Sequence, residues 1–145
     1  MDRLTWRLQQ ATRALLSFKQ LAFIPSPSMI ERDAAIQRFE YTTEACWKAA
    51  QATLFEHFGV EAASPKAVIR AAAQNGLLSE LDARAAMGLI DDRNLTSHTY
   101  NEALAFTLFA RLAGTCGRVR AFVGGITTAL SRALSKRKGL FPRFG

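Results

Sequence analysis

One stretch of this chain concentrates groups that can handle a phosphate ester. Asp91-Asp92-Arg93-Asn94-Leu95-Thr96-Ser97-His98-Thr99-Tyr100 interrupts mostly apolar sequence with carboxylates, a guanidinium, an amide, hydroxyls, an imidazole and a phenol. Such groups are costly to bury unpaired. Arg93 offers a permanent planar charge that matches phosphate oxygens. Histidine is the side chain that titrates near neutrality, so His98 can give or take a proton. RNA cleavage without a metal needs both functions: a base to free the 2′-hydroxyl and a cation to stabilise the charged phosphorane. Asn94, Thr96 or Ser97 can position the phosphate, and Asp92, Asn94 and Ser97 are the candidate binding and supporting residues. A solvent-exposed helix end with local side-chain bonds would have the same composition.

The spacing sets a geometric condition. Five residues on a regular helix turn the chain by about 140°, so Arg93 and His98 would not share a face. Either the helix breaks near His98, or two copies of the segment meet across a homodimer and complete one site together. The second is the working expectation.

The elements that must position this segment are helical. Leu4, Leu8, Ala11, Leu15, Phe18 and Ala22 recur at spacings of four and three and form one apolar stripe, which Pro25 and Pro27 terminate. Ser28 with Glu31 has capping-box spacing and opens a second helix that reaches Phe58, with Gly59 as its stop. Ile36, Phe39, Thr43, Cys46, Ala50 and Leu54 are its inward residues, widened by Trp47 and Phe58. Ser64-Pro65 starts a third helix with Val68, Ile69 and Ala72 inside, and Asn75-Gly76 ends it. Ser79 with Asp82 begins a fourth, carrying Leu81, Ala85, Met87, Leu89 and Ile90 towards Arg93. The fifth starts at the cap Asn101 and is expected to end near Ala113.

Beyond it, Gly114, Gly117, Gly124 and Gly125 each cost helix stability, while Val119, Phe122, Val123, Ile126 and Leu130 can line a further helix. Ser135 to Gly145 reads as a frayed or disordered end. The expected fold is therefore all-α: an antiparallel up-and-down bundle of about five helices over residues 1–113, followed by a C-terminal extension, helix then basic tail, over 114–145.

Composition agrees with a globular chain. It has 145 residues, 49% hydrophobic and 21% charged, enough to bury a core without metal or disulfide help. The formal charge of +7 is unevenly placed. Residues 1–110 hold eleven Lys/Arg against twelve Asp/Glu, and residues 111–145 hold eight Lys/Arg and no acid. That asymmetry points to nucleic acid or another polyanion, or to a solvated tail that aids solubility. Cys46 and Cys116, embedded in apolar sequence, suit small buried hydrophobes in a reducing cytosol. His57 and His98 are too separated for a zinc motif, so neither metal nor cofactor is expected. His57 closes a helix, where it suits the negative end of the dipole. No stretch reads as a signal peptide or membrane span, and the expected location is cytoplasmic.

The residues also carry a resemblance. Arg93 to Tyr100 matches the R-x4-H-x-Y pattern of the HEPN superfamily. The string Asp92 to Tyr100 resembles its nucleotidyltransferase substrate-binding branch. Arg38-Phe39-Glu40-Tyr41-Thr42-Thr43-Glu44-Ala45-Cys46-Trp47-Lys48 is similar to that branch's second helix, and Ser64 to Arg70 with Asn75 to Leu78 to its third helix and turn. Three blocks in order over residues 3–112 make the likeness specific, and the stretch after Leu112 has no counterpart.

The resemblance implies a helical bundle that dimerises and a minimal nucleotidyltransferase as partner. It further implies a toxin–antitoxin pair in which Arg93 and His98 cleave RNA as a metal-independent ribonuclease. The partner would silence the site by transferring AMP from ATP to Tyr100. Glu40 and Tyr41 fall in a matching block and are candidate supports of the cleft, with a packing and surface role as the plainer reading of Tyr41. The alternative is a non-catalytic subunit that binds nucleotide or substrate for the transferase. A third reading is a structural bundle whose polar motif only caps a helix and fixes a dimer.

Overall fold

A computed structural model describes residues 2–140, and helices account for most of them: α1 (Arg3–Ala22), α2 (Met29–Phe58), α3 (Pro65–Gln74), α4 (Glu80–Leu95) and α5 (Glu102–Leu140), with one 3-10 turn, Thr96–His98, between the last two. Among the described residues there is no strand. The fold is the all-α antiparallel bundle that the periodicity predicts. α1 packs on α2 and α5, α2 also packs on α5, and the short α3 bridges α2 and α4.

The local signals act as their chemistry requires. Ser28 and Glu31 form both halves of a capping box at the start of α2. Ser64 and Ser79 accept backbone N–H bonds at the starts of α3 and α4. Asn101 accepts one from Leu104 at the start of α5. Gly59 ends α2 at φ 64°, in the left-handed region that glycine enters without a Cβ clash.

The core runs along the seam of α1, α2 and α5. Phe18 of α1 and Phe39 of α2 are fully enclosed, with ring centroids 5.9 Å apart. Leu54, Ile69, Leu108, Leu112, Val119 and Ile126 extend this core. Enclosing each such side chain stabilises the fold by roughly 1.5–3 kcal/mol. Cys46 and Cys116 are free and buried within the same core. Burial pushes the Cys46 thiol up to about 12 and raises that of Cys116.

Three expectations need correction. Leu81 is 77% exposed, because Ala86, Leu89 and Ile90 take the inward face of α4 and Leu81 lies on its far side. The fifth helix does not stop near Ala113 but continues to Leu140, so residues 114–140 form no separate helix and position 113 lies inside α5. Cys116, Val119, Phe122 and Ile126 are buried against the bundle, and that packing outweighs the propensity cost of about 1 kcal/mol for each glycine. One of those glycines is required by the packing: a Cβ on Gly125 would stand 2.9 Å from the Leu77 carbonyl oxygen. Finally, the expected frayed end from Ser135 is helical as far as Leu140, and residues 141–145 lie outside the described residues.

A bidentate pair fixes α2 to the start of α5. Arg32 donates to both Glu102 oxygens, at 2.7 and 3.4 Å. These bonds and the charge of Arg32 hold the Glu102 carboxyl below its ordinary range.

Candidate functional site

The polar segment begins on α4, where three successive residues reach three different helices. Asp91 pairs with Lys66 of α3 at 2.6 Å. Asp92 is buried and accepts from Arg111 at 2.9 Å and from Arg118 at 3.4 Å, both on α5. Arg93 turns to α2 and donates to Glu44 at 3.3 Å. Asp92 and Arg93 therefore face different neighbours: the carboxylate braces α4 against α5, and the guanidinium lies over α2. Arg93 is part-exposed, and its Nε is buried with no hydrogen-bond partner among the described residues.

The helix then ends for a local reason. The Thr96 N–H and hydroxyl both reach back to the Arg93 carbonyl, the hydroxyl at 2.7 Å. Ser97 donates to the Asn94 carbonyl at 3.2 Å and Thr99 to the Thr96 carbonyl at 3.0 Å. These short side chains occupy carbonyls that a continuing helix would have used, and the backbone tightens into a 3-10 turn. The buried Thr96 also lies 3.2 Å from Glu40 of α2, which fastens the turn to the bundle.

His98 and Tyr100 lie beyond that fastening and face solvent; Tyr100 is 84% exposed. Their rings meet edge to face, with centroids 6.0 Å apart. No hydrogen bond or ion pair ties the His98 imidazole to the described residues, and no direct bond joins it to Arg93. Asn94 and Ser97 are exposed beside them. α4 ends at Leu95, but the 3-10 turn that follows keeps the chain rotating by about 120° per residue, so the break by itself does not bring Arg93 and His98 onto one face.

Of the α2 residues singled out by sequence, Glu40 reaches the turn. Tyr41 instead bonds Ser17 at 2.8 Å on the α1 side, away from the polar segment. His57 sits in the last turn of α2, as its position predicts. Three residues at or around the site carried no assigned role in the sequence: Glu44, Arg111 and Arg118. The available signal for Glu44 was its spacing of four from both Glu40 and Lys48, which puts all three on one face of α2. Lys48 shares the Glu44 carboxylate at 3.4 Å and also lines a groove of about 520 Å³ with Arg3, Arg7, Gln51 and Phe55. A chain of charge thus runs from Arg93 through Glu44 to that groove. Among the described residues, no three His, Cys, Asp or Glu side chains are grouped to share a metal ion. No helix there is long and apolar enough to cross a membrane.

Comparison with known proteins adds a family. The family described as nucleotidyltransferase substrate binding protein like matches residues 6–118. A Thermus thermophilus protein of known crystal structure is 54% identical, over 80% of this chain and 98% of that one, with TM-score 0.75. A tri-AMPylated Shewanella oneidensis HEPN toxin, solved in complex with an MNT antitoxin, is 17% identical over 88% of this chain and 99% of its own, with TM-score 0.74. A mutant MntA–HpeT toxin–antitoxin gives 17% identity, the same coverage and TM-score 0.75. At that identity the last two show a shared fold. No curated protein matches the chain.

Proposed function

The chain belongs to the nucleotidyltransferase substrate binding protein like family, and from that premise we propose that it is the HEPN-type toxin of a toxin–antitoxin pair, a metal-independent ribonuclease restrained by a minimal nucleotidyltransferase. The observation that carries this reading is the break of α4 at Leu95. It leaves an unbonded, exposed imidazole and an exposed phenol next to the turn that Arg93 anchors.

In this reading the His98 imidazole takes the proton of an RNA 2′-hydroxyl, and the freed oxygen attacks the adjacent phosphorus. Arg93 stabilises the added negative charge on the phosphorane. The 5′-oxygen leaves with a proton, and a 2′,3′-cyclic phosphate remains. A homodimer would bring a second imidazole to protonate the leaving oxygen. Asn94 and Ser97, exposed at the same turn, would contact the phosphate. Asp92 supports from behind by holding α4 to α5.

Restraint follows from the exposure of Tyr100. Its hydroxyl can attack the α-phosphorus of ATP held by the partner: the bond from that phosphorus to the bridging oxygen of the β-phosphate breaks, pyrophosphate leaves, the phenol proton passes to solvent, and AMP stays on the ring oxygen. The added anion would lie beside His98 and offset the charge of Arg93. Support comes from the tri-AMPylated state of a toxin that shares the fold.

Expression of the chain alone, with and without His98→Ala, tests the proposal. Growth arrest with RNA fragmentation is expected for the wild type, relieved by the substitution and by the co-expressed partner. A wild-type chain that leaves RNA intact and cells growing without its partner overturns it. The family description favours a second reading, a non-catalytic binding subunit of the transferase. Calorimetry separates the two: Arg93→Ala would weaken nucleotide or partner binding, and His98→Gln would not.

A further inference from the structure

The proposed reaction leaves most of α5 unused. No Asp or Glu follows Glu102 in the sequence, whereas eight Lys/Arg lie between Arg111 and Arg143. Several of them are aligned. On an α-helix, positions seven apart return to nearly the same direction. Arg111, Arg118 and Arg132 follow that period on α5, and Lys136 stands one turn after Arg132. The four fall on one flank, within roughly 60° of each other around the axis.

This flank starts at the candidate site. Arg111 and Arg118 border the buried stripe of α5 and hold Asp92 between them. Two guanidiniums on one carboxylate leave positive charge in excess beside α4. Their side chains remain 47% and 33% exposed, so N–H groups still face water. Between Arg118 and Arg132 the flank is covered at Gly125 by the Leu77–Leu78 turn, which a strand following it must cross, and beyond that turn it leaves the bundle. Ile126 is the last buried residue of α5 among the described ones, and from there to Leu140 the axis advances about 21 Å. Thr127, Thr128, Ser131, Arg132, Ser135 and Lys136 are exposed along it.

We propose that this flank of α5 is an RNA-binding track, on which Arg118, Arg132 and Lys136 hold the phosphate backbone of a single strand and lead it to the Arg93–His98 segment. The choice of RNA rests on the ribonuclease reading; the polyanion chemistry rests on α5 itself. A basic helix that lies on a membrane must offer an apolar face as well. Among the described residues, no large apolar side chain of α5 after Phe106 is exposed, and Cys116, Val119, Phe122 and Ile126 point into the core. The described part of the arm therefore has charge and hydroxyls to offer, which suits a phosphate backbone.

The full chain carrying His98→Ala, which should bind RNA without cutting it, is titrated with a fluorescently labelled single-stranded RNA across a range of salt concentrations. The comparison adds Arg132→Ala and Lys136→Ala, which leave the Asp92 brace intact. Each phosphate that is no longer neutralised should lower the slope of log K against log salt by about 0.7, so the double change should lower it by about 1.4. Affinity at moderate salt should fall on the order of tenfold. An unchanged affinity and slope, with an unchanged melting temperature, overturns the track. Binding to anionic lipid vesicles without binding to RNA overturns it in favour of a membrane-surface helix. Cleavage is read separately. A wild-type chain that cuts RNA while the arm variant binds as tightly loses the track and keeps the nuclease. A chain that binds with the expected slope change but never cuts keeps the track and loses the nuclease.

Discussion

Glu44 on α2 and Arg93 on α4 meet at 3.3 Å, although 49 positions separate them in sequence. The contact fixes where the guanidinium points, and its half-exposed setting keeps its contribution to stability small. On the proposed ribonuclease reading, Glu44→Ala should therefore lower RNA cleavage about tenfold, corresponding to about 1.4 kcal/mol of lost transition-state stabilisation, while costing no more than about 1 kcal/mol of folding stability. Glu44→Gln, which can still accept the bond, should recover most of the rate. Cleavage kinetics beside denaturant titration of the same variants checks the split; equal losses in both would make Glu44 a packing residue only.

Asp92 behaves differently, because it is buried under two arginines. Asp92→Ala leaves Arg111 and Arg118 facing each other without the carboxylate. A loss of about 1–3 kcal/mol is expected, reduced from the fully buried case because both arginines reach water. Urea unfolding should show it as a lower midpoint with an unchanged slope. A neutral result would mean that the brace between α4 and α5 is apolar.

Acid sensitivity should trace to the pair between α2 and α5. Arg32 holds the Glu102 carboxyl below its ordinary range through hydrogen bonds and charge. A depressed folded-state value means that this contribution is complete above the ordinary glutamate range and is lost as pH falls through the lowered one. The melting temperature should hold from neutrality to about pH 4.5 and then decline. Glu102→Gln should remove that part of the decline, and thermal scans of both proteins across acid pH would reveal an identical profile if the pair contributes nothing.

The cysteines should be silent. With Cys46 pushed up to about 12 by burial and Cys116 also raised, neither presents a thiolate to solvent at neutral pH. A chromogenic disulfide reagent should label the native chain slowly and both thiols promptly in denaturant. Rapid labelling of one thiol in the folded protein would indicate local opening of the core.

Much of the frame was legible in the residues. Stripes such as Leu15–Phe18–Ala22 and Ile36–Phe39–Thr43 declare which side is inward, and Ser28, Ser64, Ser79 and Gly59 mark helix ends by chemistry that acts within one turn. Failures came where a tertiary contact overrides a local rule. The glycines after Ala113 argue for a break before a further helix, yet Val119, Phe122 and Ile126 pack on the core as part of one uninterrupted α5, and Gly125 admits the Leu77 carbonyl. The site was legible as a list of groups and not as a set of directions. Nothing in the order Asp92-Arg93 announces that one residue faces α5 and the other α2, because their partners Arg111, Arg118 and Glu44 are distant in sequence.

The three ties of Asp91, Asp92 and Arg93 act together as a rotational key. Consecutive side chains on a helix leave its axis about 100° apart, so a roll of α4 that improves one tie must worsen another. The aim of the guanidinium is thereby indexed to the azimuth of the whole rod. Inserting a single residue in the middle of α4 would advance the triplet by that same step, setting Asp91 before Arg111 and Arg118 and the Asp92 carboxylate before Glu44, so the guanidinium would lose its aim even if the rod itself stayed helical.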